Sequence, residues 1–340
     1  MSAFAAKSFQ SHDYSLYRPS YSLDFFKYIF DFANLVKNSQ DGKILSILDV
    51  GAGPGTCMVT IIPYLATLVE EKKLNVQKIR LVVTDVSSNM LSEAKKNLID
   101  VIGKIGAQHA NLFELLYFEA GGEGLTDLVG EASIDIVIAA ECVHWLKSKD
   151  WLNCMQQILK PTTGVLAFWG YVDPVFTGVE KPGNHEKEIE TANDFYESFV
   201  YEAEGKLGVY WQQPGRSKLR GLCKEANGLV YDDTRCWGDV ITVYRDPLKG
   251  DVKVLDRLRG QDVDFEVDDE AFKLTKSFTL DQFLRYADTW SSSHKWNAEH
   301  DENNKVSSVF YKGLNETTKW ELEDVIEVEF KTYYTLAKKL

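Results

Sequence analysis

The sequence predicts an α/β fold built on a doubly wound, mostly parallel sheet, on three observations. Strand-like and helix-like segments alternate through the first half of the chain, as a parallel sheet with crossover helices requires. An apolar run, Ile44-Leu45-Ser46-Ile47-Leu48-Asp49-Val50, enters a glycine-rich turn, Gly51-Ala52-Gly53-Pro54-Gly55. An acidic residue, Asp85, closes the second strand-like run. In a doubly wound sheet the last two features lie at the carboxyl edge of central strands, where ligands bind.

The elements follow in order. Residues 21–38 carry Phe25, Phe26, Tyr28, Ile29, Phe30 and Phe32 at helical spacing and predict an amphipathic helix. Apolar runs predict strands at 44–50, 79–84, 112–118, 134–140 and 164–169, with helices at about 57–73, 88–104 and 148–159 between them. Each crossover is expected to be right-handed. Residues 171–235 mix Gly, Pro and aromatics without a clean period, which suggests an insertion or lid. A strand is expected at 239–245, and Thr279-Leu280-Asp281-Gln282 has the capping-box pattern that opens a helix over 279–290. Polar residues 297–305 suggest a mobile surface loop. Val325-Ile326-Glu327-Val328-Glu329-Phe330 alternates as a half-exposed edge strand would.

The 340 residues fit one large domain with insertions. Its expected parts are an amino-terminal helical lid (1–40), a ligand-binding core (41–170), lid insertions (171–236 and 275–300) and a carboxyl-terminal edge strand (320–340). Net charge is −13, from 38 basic and 51 acidic residues, and no long basic run appears, which argues against a nucleic-acid partner. No apolar stretch approaches the ~20 residues of a membrane helix. The start Met1-Ser2-Ala3-Phe4 has no basic-then-apolar leader, so a cytoplasmic location is expected. A monomer is the expected oligomeric state. The five cysteines are odd in number without a C-x-x-C pair, which fits reduced thiols and predicts no metal site.

The glycine turn reads G-x-G-x-G, whereas a dinucleotide fingerprint needs G-x-G-x-x-G with a helix N-terminus aimed at pyrophosphate. Pro54 removes one more backbone donor. The turn therefore favours a cofactor without phosphates, such as S-adenosylmethionine, whose amino-acid end would sit against it. Asp85 is placed to accept hydrogen bonds from ribose hydroxyls, or else to cap the following helix. Glu119, at the end of the third strand, could read the adenine or belong to a plain turn. After the fourth strand, Ala140-Glu141-Cys142-Val143-His144-Trp145 gathers a carboxylate, an imidazole and an indole. His144 could be a general base, a substrate hydrogen-bond donor or a packed residue; Trp145 reads as a pocket wall.

The densest segment is Tyr210-Trp211-Gln212-Gln213-Pro214-Gly215-Arg216-Ser217-Lys218-Leu219-Arg220. Arg pairs bidentately with carboxylates, so the cluster could hold a di- or tricarboxylic acid, or be a solvated basic face. Near the start, Tyr17-Arg18-Pro19-Ser20-Tyr21 could fold over the cofactor as a lid or be a surface strap.

Together these segments, with Trp169-Gly170-Tyr171-Val172-Asp173-Pro174 and Thr289-Trp290-Ser291, closely resemble the yeast trans-aconitate 3-methyltransferase family, which includes a relative acting on the dicarboxylic acid form of cantharidin. The resemblance implies a Rossmann-like class I methyltransferase fold of seven strands with the last antiparallel. It implies S-adenosylmethionine as cofactor and a small carboxylic acid, trans-aconitate first, as acceptor. Cofactor contacts are then expected at Tyr17, Asp49, Gly51, Ala52, Gly53, Asp85, Val86, Met90, Glu119 and Ala140. Acceptor contacts are expected at Arg18, His144, Trp145, Trp169, Tyr171, Trp211, Gln212, Arg216, Arg220 and Trp290. Residues 119–124 lack the paired acidic pattern expected near adenine. A carboxylate is ionised at pH 7, so its methylation needs no general base. A lipid-like acid acceptor and a catalytically silent interaction protein are the competing expectations.

Overall fold

The computed structural model describes residues 17–39, 42–106, 109, 111–202, 205–258 and 265–340. Residues 1–16 of the amino-terminal lid expected at 1–40 lie outside them. The strands are β1 (Ile44–Val50), β2 (Lys78–Asp85), β3 (Phe113–Glu119), β4 (Ile136–Ala140), β5 (Val165–Val179), β6 (Trp237–Asp246), β7 (Asp251–Arg257), β8 (Thr275–Thr279) and β9 (Val325–Lys339). The principal helices are α1 (Leu23–Phe32), α2 (Thr56–Glu70), α3 (Ser88–Lys104), α4 (Ser148–Ile158), α5 (Glu186–Tyr201), α6 (Gly215–Arg220), α7 (Lys224–Asp232), α8 (Leu280–Asp288), α9 (Ser291–Glu299) and α10 (Val306–Thr318).

The sheet order is β3-β2-β1-β4-β5-β9-β6-β7, with β8 paired to β9 off that path. β1 to β5 are parallel, and β9 runs antiparallel between β5 and β6. Seven strands thus make the expected sheet, and two are added to it. β7 folds back on β6 as a hairpin, and β8 pairs with the first residues of β9. Adjacent β1 residues serve opposite faces. Leu45 and Ile47 join a core under α1, α2 and α3, while Leu48 and Val50 join one under α4, with Trp151, Met155 and Phe168. This two-sided burial is why β1 reads as a continuous apolar run rather than an alternating one.

Several expected elements differ. The helix expected over 21–38 breaks at Asn34, whose φ of 48° turns the chain into a separate short helical turn. α2 stops at Glu70 rather than continuing to residue 73, so the stretch before β2 is loop. β5 does not end at Trp169 but runs to Val179, passing Pro174 through a bulge. Pro lacks a ladder donor, and the bulge, with Asp173 at φ 44°, absorbs that defect.

The carboxyl-terminal strand is interior rather than an edge. Over Ile326–Glu329 it is paired with both β5 and β8. Its alternation is real, since Ile326, Val328 and Phe330 are buried, but alternation reports which face is covered and says nothing about edges. The segment 297–305 is ordered by specific bonds. It holds the end of α9 and a 3-10 turn at Glu302–Asn304, with Trp296 Nε1 donating to the Asn304 carbonyl at 2.6 Å.

α5, α8, α9 and α10 stand with β8 over the carboxyl end of the sheet around a third apolar core containing Phe176, Phe283, Trp290, Phe310 and Trp320. The lid insertion is therefore a packed layer. Among the described residues no helix is long and apolar enough to cross a membrane, and no three His, Cys, Asp or Glu side chains gather as metal ligands.

Candidate active site

The carboxyl ends of β1, β2 and β4 open into a cleft of about 410 Å3, roofed by Arg18-Pro19-Ser20-Tyr21. Gly51 has φ of 63°, and a Cβ there would lie 2.6 Å from the Cβ of Cys142, so conformation and space both demand glycine. The amides of the turn are largely spent inside the protein. Ala52 N donates to the Thr84 carbonyl (2.9 Å), Gly53 N to Asp85 Oδ2 (2.9 Å) and Gly55 N to the Ala52 carbonyl (3.0 Å). A phosphate cradle needs such amides free. The geometry agrees with the phosphate-free cofactor expected from the spacing.

Asp49 lines the cleft, is fully buried, and neither carboxylate oxygen has a hydrogen-bond partner among the described residues. Burial, and secondarily the Asp85 charge, push its carboxyl well above the usual range. An ammonium group in the cleft would supply the missing partner, so the residues present fit the amino-acid end of S-adenosylmethionine. Asp85 is more committed than expected: Oδ2 accepts from Gly53 N and Oδ1 from Ser87 N at 2.8 Å. It ties the glycine turn to the start of α3, and each oxygen keeps a second lone-pair direction for a hydroxyl. Ala52, Val86, Met90 and Ala140, four of the expected cofactor contacts, lie on the cleft wall.

Two expected cofactor contacts fall outside it. Glu119 is exposed and paired in register with Asp85 on the neighbouring strand, while Ala120, Gly121, Gly122 and Glu123 form that wall. The chain turns inward one residue later than the strand end suggests. Gly122 is needed there because a Cβ would meet Trp151 at 3.0 Å and Val50 at 3.1 Å. Tyr17 packs on the lid core and offers its carbonyl to Lys276 Nζ at 3.0 Å, leaving the cleft to the four residues after it.

A second, smaller cavity of about 60 Å3 adjoins the first and shares Arg18, Glu141, Trp145, Tyr171 and Gln212 with it. His144, Trp211, Arg216, Trp290, Tyr286 and Ser291 complete much of its wall. Arg18 is held by Thr289, with Nε to Oγ1 at 3.0 Å and Nη2 to the carbonyl at 3.1 Å. Arg216 lies over the Trp211 ring at 3.9 Å and donates from Nη2 to Asp173 Oδ1 at 2.9 Å and to the Tyr201 hydroxyl. Its Nε has no partner among the described residues.

Arg220 does not reach this cavity. It lies 3.5 Å over the Tyr201 ring and pairs with Glu197, with Asp173 Oδ2 3.7 Å away. Lys218 bonds the Leu146 carbonyl at 3.0 Å. On a short helix the three cations point in different directions, and only Arg216 faces inward. Trp169 is not a pocket wall either: it is fully buried among Tyr21, Phe25, Phe26 and Phe272.

His144 is buried, and burial with the nearby Arg216 and Arg18 charges lowers its pKa to about 3. So weak a base is a poor proton acceptor, and the neutral ring remains as a hydrogen-bonding wall. The residue with the opposite tendency is Glu141, named in the sequence only as one of a group. Burial raises its carboxyl to about 7, against the Tyr171 amide and the Arg18 and Arg216 charges. Its φ is 55°, a conformation invisible in the sequence, and Oε2 accepts from Tyr171 N at 2.8 Å. Asp173 and Tyr201, which hold Arg216, and Tyr196, which donates to Asp173 Oδ1, lie outside the expected set; the Val172-Asp173-Pro174 motif is the available signal.

Residues 48–166 match a family model described as a methyltransferase domain. The chain is 24% identical to the probable S-adenosylmethionine-dependent methyltransferase CRG1 of Saccharomyces cerevisiae, over 99% of this chain and 98% of that protein. It is 24% identical to the methyltransferase cfoB of Aspergillus candidus over 66% of this chain and 60% of that one. A solved structure described as a candidate type II methyltransferase of Anaeromyxobacter dehalogenans superposes with a TM-score of 0.52 at 15% identity, covering 94% of this chain and 97% of the other. The fold is the class I methyltransferase fold, with β9 as its antiparallel strand and the lid layer and β7 as additions.

Proposed function

We propose that the protein is an S-adenosylmethionine-dependent methyltransferase that esterifies one carboxylate of a small polycarboxylic acid. The supporting observation is the pair of guanidinium groups, Arg18 and Arg216, on the wall of the small cavity that adjoins the cofactor cleft. S-adenosylmethionine supplies an electrophilic methyl group on a sulfonium sulfur. An acceptor carboxylate oxygen forms the new O–C bond as the C–S bond breaks, and sulfur keeps the electron pair. No proton moves, in keeping with a His144 too weakly basic to take one.

The protein's own contribution is to hold and to exclude water. Arg18 and Arg216 bind the carboxylates that do not react, Trp145 and Tyr171 confine the acid between the two cavities, and residues 18–21 close the donor side. A volume of about 60 Å3 has room for only a few water molecules, which favours a compact acid over a lipid-like one. The test is methyl transfer from labelled donor to a panel of di- and tricarboxylic acids, trans-aconitate first, beside long-chain acids. Base-labile methyl esters are expected from the short acids. Labelling confined to long-chain acids would overturn the acceptor class.

A further inference from the structure

Glu141 is the one acid on the wall common to both cavities, and esterification of a carboxylate gives it no proton to take. Its left-handed backbone and the Tyr171 amide on Oε2 fix its direction. Gly170 must lack a side chain to admit it, because a Cβ there would lie 2.7 Å from Oε2. Among the described residues no hydrogen bond is made to Oε1. The side chain is therefore held at the cavity wall with one oxygen left for a ligand.

We propose that Glu141 binds the acceptor in its neutral, protonated form, donating a hydrogen bond to a non-reacting oxygen of the acid, so that acceptor binding takes up a proton. The proposal rests on the carboxylic-acid acceptor proposed above and makes Glu141 the residue that limits how much negative charge the cavity accepts. Arg216 is already paired with Asp173, so an ionised Glu141 would leave a polyanion facing a wall with little net positive charge. Protonation removes the repulsion and turns the acid into a donor.

Glu141 is the acid of the acceptor wall that titrates at about 7; Asp173 on the same wall is held by Arg216, and the raised carboxyls of Asp49 and Asp85 belong to the donor cleft. On its own segment stand Cys142, raised by burial, and His144, lowered to about 3. Tyr286 of α8 and Tyr333 of β9 are raised by burial, and Cys223, just before α7, is raised to about 12. Arg18 on the strap and Arg216 on α6 stay cationic. Glu141 itself titrates at about 7, and an anion bound beside it pushes that higher still.

The experiment is steady-state kinetics at saturating donor between pH 6 and 8, for the wild type and Glu141→Gln, which keeps the shape and is permanently neutral. The wild-type acceptor KM should rise roughly tenfold over that range, because only the neutral fraction binds. The variant's KM should be flat apart from the acid's own ionisation, which both proteins share. Calorimetry of acceptor binding to the donor-loaded wild type, in buffers of different ionisation enthalpy, should show proton uptake at pH 7. A wild-type KM that is level, or equal pH profiles in the two proteins, or no proton uptake, would overturn the proposal. Absence of any ester product would instead sink the carboxylic-acid acceptor itself. Unfolding midpoints at pH 6 and 8 check that the variant folds, and the wild-type profile and calorimetry test the proposal without it.

Discussion

Arg216 and Arg220 sit on one short helix and carry the same charge, yet their surroundings give them different work. Arg216 has a side chain only 12% exposed, lines the smaller cavity and has no partner for Nε among the described residues. Arg220 is 38% exposed and is engaged by Glu197 and Tyr201. A buried charge-assisted bond contributes about 1.5–3 kcal/mol, whereas an exposed ion pair gives about 0–1 kcal/mol. Arg216→Ala should therefore raise the acceptor KM roughly 10- to 100-fold with a much smaller change in donor Kd. Arg220→Ala should change the KM by less than about fivefold. Steady-state kinetics with donor titrations decide this; equal losses for acceptor and donor in Arg216→Ala would remove its assigned role. The sequence displayed the residue types correctly and could not divide them, because helical direction and the partners Asp173, Glu197 and Tyr201 come from the fold. Glu141 shows the same limit: its acid was visible, but the backbone turn that aims it was not.

At the level of elements, local chemistry was legible wherever it was self-contained. The capping box at Thr279 forms as its spacing demands, with Gln282 N donating to Thr279 Oγ1 at 3.2 Å and Thr279 N donating to Gln282 Oε1 at 3.0 Å. An N-cap hydroxyl contributes about 1 kcal/mol, so Thr279→Ala should lower the unfolding free energy by about that much. Thr279→Ser should recover most of it, and urea unfolding measures both. α8 also carries Tyr286, over whose ring Arg18 lies at 5.4 Å, so fraying at this cap should weaken acceptor binding as well. Elements set by distant pairing were less legible. The length of β5 depends on a bulge opposite β9, and the interior position of β9 depends on β6 and β8, which join it from far along the chain. Alternation shows which side of a strand is buried and leaves its neighbours undefined.

For the whole molecule, the donor cleft joins parts that are remote in sequence: the glycine turn after β1, Asp85 after β2, Glu141 after β4 and the strap at residues 18–21. Asp49 is buried at its base with no hydrogen-bond partner among the described residues, a cost that a cationic ligand group relieves. A ligand that binds only the folded state stabilises it by about 2.7 kcal/mol at a hundredfold excess over Kd. Saturating S-adenosylmethionine should thus raise the Tm by several degrees. S-adenosylhomocysteine keeps the ammonium group and loses the sulfonium charge, so it should stabilise comparably if Asp49 and Asp85 dominate binding. The same amino group can be removed as a control: 5′-methylthioadenosine lacks the amino-acid end and should give a clearly smaller shift. If all three ligands leave the Tm unchanged, the cleft does not hold this cofactor, and the fold serves an interaction role instead. If methylthioadenosine matches the others, Asp49 is not the group that meets the ammonium.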